Sequence, residues 1–189
     1  MTVLPTGRKD KFVLLNKEEI NRALSRIAHE ILEKNQSDFN FSLVGIKRRG
    51  APLAKRLQAK IKQFEKLNIE TGQLDITYYR DDLSTIAENP LFKDKSIDFS
   101  VEGKTIILVD DVIYTGRTCR AAIEAIFDLG RPKSIQLAIL IDRGHRELPI
   151  RPDYVGKNVP TSKLEQVVVD LEEIDGIDQV YIQNQGQHG

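Results

Sequence analysis

The chain contains three short runs of almost uninterrupted apolar residues, at residues 41–46, 105–109 and 134–141. Stretches with helical spacing follow the first two runs, at about 52–66 and 117–129. Strands that are apolar on both faces are typical of parallel sheets, because helices cover both sides of such a sheet. The alternation therefore predicts an α/β fold with a mostly parallel central sheet flanked by helices.

The remaining pattern predicts fewer regular elements. A further helix is expected from Asn16, which can cap it, and residues 74–79 alternate as a half-exposed strand does. Residues 167–169 are a candidate last strand. Residues 80–103 are polar and lack a sustained period, and a connection of that length inside a compact domain is usually functional or mobile.

Length and composition indicate one cytoplasmic domain. A chain of 189 residues with 40% apolar content can bury its own core, and no repeat or Ser/Gly-rich linker divides residues 1–189. Cys119 is the only cysteine, so no intrachain disulfide forms and a reducing compartment is expected. No apolar run is long enough to span a bilayer and the N-terminus does not resemble a secretory signal, so no membrane partner is expected.

The charge is balanced in total but not along the chain. Basic and acidic residues number 28 each, yet residues 1–66 carry 15 basic and 7 acidic side chains. Residues 131–163 carry 7 and 3, and the remaining blocks are acidic. Two interpretations stay open: the basic blocks form solvated surface, or they converge in space into a surface for nucleic acid.

Residues 106–118 carry the most informative motif. An apolar strand ends in Asp110 and Asp111, and the sequence Thr115-Gly116-Arg117-Thr118 then opens a helix. Free N–H groups and the dipole at a helix N-terminus suit a phosphate, and glycine lets the backbone approach it closely. The two carboxylates could accept hydrogen bonds from vicinal sugar hydroxyls or steer a hydrated Mg²⁺. The alternative is a solvated Asp-Asp turn before a capped helix.

A basic turn, Gly45-Ile-Lys-Arg-Arg-Gly50, follows the first apolar strand. Several donors and cations in a tight turn suit a departing diphosphate, on which negative charge accumulates. The alternative is an exposed turn with solvated side chains. Because ligands bind outside the carboxyl ends of parallel strands, the turns at 46–50, 80–84 and 110–118 should gather at one edge of the sheet.

The motif at 106–118 resembles the phosphoribosyl-diphosphate signature of type I phosphoribosyltransferases. The resemblance implies the fold of that superfamily with a small hood, and phosphoribosyl diphosphate with Mg²⁺ as substrate and cofactor. The implied contacts with the ribose and its 5-phosphate are Asp110, Asp111, Val112, Ile113, Tyr114, Thr115, Gly116, Arg117 and Thr118. The implied diphosphate contacts are Ile46, Lys47, Arg48 and Arg49. Arg80, on a flap at about 80–103, is expected to join Asp110 and Asp111 as a catalytic residue.

The same resemblance indicates which nucleobase the enzyme accepts and which residues contact it. Purine-specific members carry an aspartate immediately before the Thr-Gly pair, where this chain has Tyr114, which favours a pyrimidine. The segment at 151–156 resembles the hood, here expected mainly from 143–189 with the N-terminal segment. It implies that Tyr154 stacks on the base and that Val155 lies beside its polar edge. An ordinary core position for Tyr154 stays open.

Segments 22–30, 75–83, 142–150 and 156–162 resemble one family more closely, the pyrimidine operon attenuator/uracil phosphoribosyltransferases. The resemblance implies conversion of uracil and phosphoribosyl diphosphate to UMP and diphosphate. It also implies binding of pyrimidine operon mRNA that responds to UMP or UTP, and assembly into homodimers or larger homo-oligomers. The implied RNA contacts are Ser25, Arg26, His29, His145, Arg146, Arg151, Lys157 and Thr161.

Two other functions remain open from the residues. The chain could be an enzyme only, with its basic blocks serving as solvated surface or subunit contacts. It could also be a regulator that keeps the fold as a nucleotide sensor without turnover. The intact set of acids, Thr-Gly turn, basic turn and Arg80 argues against the second of these.

Overall fold

A five-stranded parallel sheet forms the centre of the molecule, as the alternation of strands and helices predicted. The computed structural model describes residues 12–77 and 97–184. In chain order the elements are β1 (Phe12–Leu15), α1 (Lys17–Lys34), β2 (Phe41–Ile46), α2 (Gly50–Glu65), β3 (Thr71–Leu74), β4 (Thr105–Ile113), α3 (Arg117–Leu129), β5 (Ser134–Asp142), β6 (Tyr154–Asn158), β7 (Glu165–Asp170), α4 (Glu172–Asp175) and β8 (Gln179–Asn184). The large sheet has the order β3-β2-β4-β5-β6, with every neighbouring pair parallel.

The three long helices begin where local sequence directs them. Asn16 caps α1 through a reciprocal pair of bonds with Glu19, each 2.9 Å long. Helix α2 begins at Gly50, two residues earlier than predicted, and Pro52 lies in its first turn, where no intrahelical N–H bond is lost. Helix α3 has the predicted bounds, 117–129, and Gly130 follows it.

Two apolar layers enclose the sheet. Leu43 and Ile107 pack with α1 and α2 on one face, while Val44 and Leu108 pack with α3 on the other. Alternate side chains of one strand point to opposite faces, so a strand buried on both sides has no polar alternation. This explains why the continuous apolar runs were reliable strand signals.

A second, antiparallel sheet of order β1-β8-β7 packs on the α1 and α2 side. Leu15, Val169 and Val180 of this sheet belong to the apolar cluster that also contains Leu43 and Ile107 of the large sheet. The predicted strand at 167–169 is confirmed within β7. This sheet takes β1 from the N-terminal segment and β7 and β8 from the 143–189 region expected to form the hood, while β6 pairs with β5 and belongs to the large sheet.

Two predicted strands have different bounds. The predicted strand at 74–79 is wrong at residues 75–77, since β3 ends at Leu74, and residues 78–79 lie outside the described residues. The Asp75 carboxylate accepts hydrogen bonds from the Thr77 N–H at 3.0 Å and its hydroxyl at 2.6 Å, which turns the chain away from the ladder. Strand β4 in contrast continues to Ile113, so the two aspartates lie in a strand and not in the predicted turn. Among the described residues, no helix has the length and apolar character needed to cross a membrane.

Candidate active site

A cavity of about 830 Å³ opens at the carboxyl edge of the large sheet. Its walls come from the ends of β2, β3 and β4, from the first turns of α2 and α3, and from α4. The turns at 46–50 and 110–118 therefore both contribute to one site, as predicted. The turn at 80–84, including Arg80, and most of the flap predicted at 80–103 lie outside the described residues.

Asp110 and Asp111 both line this cavity. Val109 and Val112 pack in the same apolar cluster, which a regularly alternating strand would not allow. The local irregularity brings the two successive carboxylates to one cavity. Each carboxylate accepts a 3.0 Å hydrogen bond from the next residue's backbone N–H.

The two carboxyl groups lie in an environment that disfavours their charge. Burial raises the pKa of Asp110 well above its usual value, and the neighbouring charge of Asp111 adds to the rise. Burial also raises the pKa of Asp111, although Arg49 opposes that rise. Such a pair is suited to partners that compensate its charge, such as sugar hydroxyls and a cation.

The basic turn is held against β4 by two glycines. A Cβ on Gly50 would lie 2.2 Å from the carbonyl oxygen of Val109, and a Cβ on Gly45 would lie 2.4 Å from that of Gly50. No side chain fits at either position. The close approach places the turn directly beside Asp110, and the Lys47–Arg48 peptide bond within it is cis.

The cations of this turn face the cavity in different ways. The Lys47 ammonium lies 3.6 Å from the Asp75 carboxylate, and Arg49 bonds Asp175 of α4. Arg48 is exposed. Ile46, predicted with them, is buried in the core, so only its backbone is available to a ligand. The positive charge of the turn is therefore only partly neutralised by the protein.

The N-terminus of α3 is open, as a phosphate site requires. Gly116 at the N-cap has φ +95°, a conformation that favours glycine, and carries no side chain to cap the helix, while the Thr115 hydroxyl accepts a long 3.4 Å hydrogen bond from the Arg117 N–H. Thr118 lines the cavity. The preceding loop is fixed from outside, because the Thr115 carbonyl accepts hydrogen bonds from the N–H groups of Glu147 and Leu148 at 2.9 and 3.2 Å.

Tyr114 lies away from the cavity. The residue is 37% exposed, and the Arg143 guanidinium stacks on its ring at 4.1 Å from the centroid. His145 meets the same ring edge-on at 6.0 Å. The position just before the Thr-Gly pair thus presents no carboxylate to the site.

The predicted base contacts are not brought to the cavity. Tyr154 is 2% exposed in the core, and its hydroxyl donates to Gln136 at 2.6 Å and accepts from Asn35 at 3.2 Å. The stacking role proposed for Tyr154 is therefore wrong, because β6 directs its ring into the layer beneath α1. Val155, predicted to lie beside the polar edge of the base, does not line the cavity, and its carbonyl accepts a hydrogen bond from Arg26 at 3.1 Å.

Three of the predicted RNA contacts lie on α1. Ser25 accepts a 2.9 Å hydrogen bond from Lys60, and the exposed His29 ring stacks on Phe64 with 4.1 Å between centroids. Arg26 pairs with Glu30 at 2.8 Å and reaches β6, where it donates to the Gly156 carbonyl at 2.5 Å. The contact of Arg26 with β6 brings the two basic blocks of the sequence together.

The other predicted RNA contacts lie in β6 and in the loops before and after it. Lys157 donates to the Leu14 carbonyl at 3.2 Å, and His145 lies 2.5 Å from the Thr161 carbonyl. Arg146 is used internally, since it pairs with Asp142 and donates to the Tyr114 carbonyl at 3.0 Å. Arg151 is exposed and makes no hydrogen bond or ion pair with a described residue.

The donor set indicates how a divalent cation would be held. Within residues 12–77 and 97–184, no group of three or more His, Cys, Asp or Glu side chains could bind a metal by itself. The adjacent carboxylates of Asp110 and Asp111 fit a hydrated ion that arrives with a phosphorylated ligand.

Several cavity residues were not predicted. Lys55, Gln73, Glu173 and Ile174 also line the site. Lys55 could have been found, because it lies in the second turn of the helix that follows the basic turn. Nothing near Glu173 and Ile174 in the sequence signals their position, which depends on how α4 packs against the large sheet.

Comparisons with known proteins agree with this geometry. The family model described as "Phosphoribosyl transferase domain" matches residues 14–174. A protein named "Bifunctional protein PyrR" from Pelotomaculum thermopropionicum is 61% identical over 174 residues, covering 92% of this chain and 96% of that protein. The protein of the same name from Clostridioides difficile is 58% identical over 173 residues, covering 92% and 98%.

Solved structures show the same fold in more distant proteins. The hypoxanthine phosphoribosyltransferase of Trypanosoma cruzi, solved with IMP, is similar with a TM-score of 0.70 and 17% identity, covering 96% of this chain and 94% of that one. The Staphylococcus aureus hypoxanthine phosphoribosyltransferase gives 0.66 and 22%, covering 92% and 91%. With the family model across most of its length and relatives that share more than half of its residues, the chain belongs to the phosphoribosyltransferase family and, within it, to the bifunctional PyrR proteins.

Proposed function

We propose that this chain is a uracil phosphoribosyltransferase that also binds pyrimidine operon mRNA in response to UMP or UTP. The observation that carries the enzymatic part is the convergence of Asp110, Asp111, Thr118 and the basic turn on one cavity. Those groups match a ligand with a sugar diol between a 5-phosphate and a diphosphate. The membership in the PyrR group supports both parts.

The residues divide the reaction between them. The backbone and cations of the turn at 46–50 stabilise the departing diphosphate as the C1–O bond breaks. Asp110 and Asp111 hold the ribose hydroxyls, and the start of α3 holds the 5-phosphate. A Mg²⁺ ion bound with the diphosphate supplies further neutralisation of its charge. The uracil nitrogen then attacks C1 from the opposite side and releases its proton, so that alignment and exclusion of water supply much of the rate.

A base panel tests the enzymatic part. We expect the purified protein with Mg²⁺ and phosphoribosyl diphosphate to release diphosphate when uracil is added and not when hypoxanthine is added. The reason is that Tyr114 replaces the carboxylate that faces a purine ring and lies against Arg143. Turnover with hypoxanthine alone would contradict the pyrimidine assignment. Absence of turnover with every base would leave the nucleotide-sensor alternative.

The second part is supported by the position of the predicted RNA contacts. Arg26 of α1 bonds the Gly156 carbonyl of β6, next to Lys157, and His145 in the loop after β5 bonds the carbonyl of Thr161, which follows β6. We call these five residues the band. Basic side chains there could hold phosphates, while serine, threonine and histidine could read an unpaired base or a ribose hydroxyl. Assembly into homodimers or larger homo-oligomers, included in the proposal, would double this surface. A cytoplasmic location is part of the same proposal.

The loop after β5, which carries His145 of the band, is bonded to the loop that is proposed to hold the 5-phosphate. Arg146 donates to the Tyr114 carbonyl, and Arg117 pairs with Glu147 at 2.8 Å. A nucleotide that orders residues 114–118 would therefore also order the loop that carries His145. This connection supports a response of RNA binding to uridine nucleotides.

RNA binding separates the bifunctional proposal from an enzyme alone. We expect Arg151→Gln to weaken binding of operon leader RNA and to reduce the slope of log K against log [salt] by about 1, because this free cation can contact a phosphate. Its stability should be unchanged. Arg146→Gln should lower both affinity and stability, since Arg146 bonds Asp142 and Tyr114. The measurement is a salt titration by filter binding, with Lys133→Gln as the exposed basic control.

The RNA-binding proposal can also be tested on the wild-type protein without any substitution. Wild-type protein that bound leader RNA no more tightly than an unrelated RNA at every salt concentration would refute the second function. The uracil assay would be unaffected by that result. The enzyme-only alternative would then stand.

A further inference from the structure

Helix α4 is attached to the core by ion pairs, and one of them involves the diphosphate turn. Glu172 pairs with Lys17 of α1 at 2.6 Å, and Glu173 pairs with Arg56 of α2 at 2.5 Å. Asp175 pairs with Arg49, the last residue of the basic turn before α2. The Asp175 contact is thus the one of the three that reaches a residue proposed to bind the substrate.

The geometry fixes one part of Arg49 and leaves another part unused. Its Nη2 donates to both oxygens of Asp175, at 3.0 and 3.1 Å. The Nε of Arg49 is buried without a hydrogen-bond partner, and within residues 12–77 and 97–184 no partner is recorded for Nη1. A buried donor without an acceptor is costly unless a ligand supplies one.

Asp175 is itself held in place. Its Oδ2 accepts a 2.9 Å hydrogen bond from the Leu171 N–H. Burial opposes its ionisation, but that backbone bond and Arg49 hold the pKa of Asp175 below its usual value. The carboxylate therefore remains charged at neutral pH and can orient the guanidinium continuously.

Two effects of Asp175 on an anionic ligand oppose each other. Its negative charge weakens the attraction of the site for diphosphate, but the two side chains are 28% and 23% exposed, so solvent and salt screen this charge. Holding Arg49 in place before binding removes the entropy that a free arginine side chain would lose on binding. We expect the second effect to be larger, because screening weakens the charge of Asp175 while its two hydrogen bonds hold the Arg49 guanidinium in one orientation.

We infer that Asp175 is a positioning residue for the transfer reaction, which orients Arg49 so that its free donors meet the diphosphate of the substrate. The inference rests on the proposed function, since it assumes that the basic turn binds diphosphate. It assigns to α4, outside the large sheet, a part in recognising phosphoribosyl diphosphate.

The test is Asp175→Asn, which keeps an acceptor for the Leu171 N–H and removes the charge that pairs with Arg49. We expect the KM for phosphoribosyl diphosphate to rise roughly 3- to 10-fold, the factor that corresponds to ordering one flexible side chain. The KM for uracil should not change, and Asp175→Glu should recover part of the loss. Glu172→Gln is the matched control, because it removes an equal charge and a different ion pair from the same helix.

Each outcome decides the inference. An unchanged or lower KM for phosphoribosyl diphosphate in Asp175→Asn would refute it, and so would an equal rise in Glu172→Gln, which would indicate a loosened helix. Calorimetric titration of phosphoribosyl diphosphate with Mg²⁺ gives the same comparison without uracil. If wild type binds that ligand but does not turn over uracil, the proposed function fails while the effect of Asp175 is still measured.

Discussion

Replacing Asp110 and Asp111 together by asparagine is expected to abolish uracil turnover, with a loss of at least about 10³-fold in kcat/KM. Both carboxylates line the cavity, and asparagine preserves their shape while removing the charge that holds the ribose and its cation. The measurement is the release of diphosphate at saturating uracil. Retained turnover in the double variant would remove these two acids from the catalytic site.

Asp110→Asn should also stabilise the protein without ligand. Burial and the charge of Asp111 raise the pKa of Asp110 in the folded state, so folding disfavours its ionised form at neutral pH. This cost is present above the raised pKa and disappears as the pH falls toward 3.8, the ordinary value. We therefore expect a melting temperature a few degrees above wild type at pH 7, with the difference narrowing as the pH is lowered.

Asp75→Asn is the control for the predicted pH dependence of the melting temperature. Asp75→Asn removes a carboxylate whose pKa is lowered, chiefly by its hydrogen bonds with Thr77. Its contribution has the opposite sign: the stabilisation is present above pH 3.8 and is lost as the pH falls through the lowered pKa. Asp75→Asn should thus destabilise the protein at neutral pH. If both substitutions shifted the melting temperature in one direction, the assignment of Asp110 as a destabilised ion would be wrong.

Gly50→Ala is expected to reduce turnover and stability together. The new Cβ would lie 2.2 Å from the Val109 carbonyl oxygen, so α2 and the basic turn must move away from β4. Overpacking of this kind costs about 1–3 kcal/mol. The displacement also separates the diphosphate turn from Asp110, and we expect the KM for phosphoribosyl diphosphate to rise about tenfold or more. Chemical denaturation and steady-state kinetics measure the two effects.

Gly103→Ala separates the loss of stability from the loss of geometry. Gly103 has φ +67°, and a Cβ there would meet nothing within 4 Å. Alanine in that backbone conformation costs about 1–2 kcal/mol, which is comparable with the overpacking at Gly50. Since Gly103 precedes β4 at the opposite edge of the sheet, its variant should keep the wild-type KM. A Gly50→Ala variant that lost stability alone would show that the close approach serves folding and not the site.

The sequence predicted the parts of the molecule whose signals are local. The apolar runs in β2, β4 and β5 required burial on both faces, and only a covered parallel sheet provides that. The position of the acids and the Thr-Gly turn followed, because loops after parallel strands meet at one edge. The prediction of a strand failed at residues 75–77, since an Asp75–Thr77 turn competes with the ladder and alternation alone does not reveal it.

Some residues predicted to bind a ligand have side chains that are already bonded to other parts of the protein. Tyr154 had a suitable type and a suitable neighbourhood, but the register of β6 against β5 buried it beside Gln136. Arg146 belongs to a basic block, yet Asp142 and three loop carbonyls occupy its guanidinium. Charge in a sequence does not show whether a cation is already paired.

The sequence alone determined the parallel class of the sheet, the helices that cover it and the chemistry of the two turns at its edge, because each is signalled by a local pattern of residue types. Only the tertiary structure decided that α4 closes the cavity, that Asp175 meets Arg49 and that Arg26 reaches β6. Those contacts join residues more than a hundred positions apart. They arise from how the second sheet and α1 pack on the large sheet, and no local pattern encodes that packing.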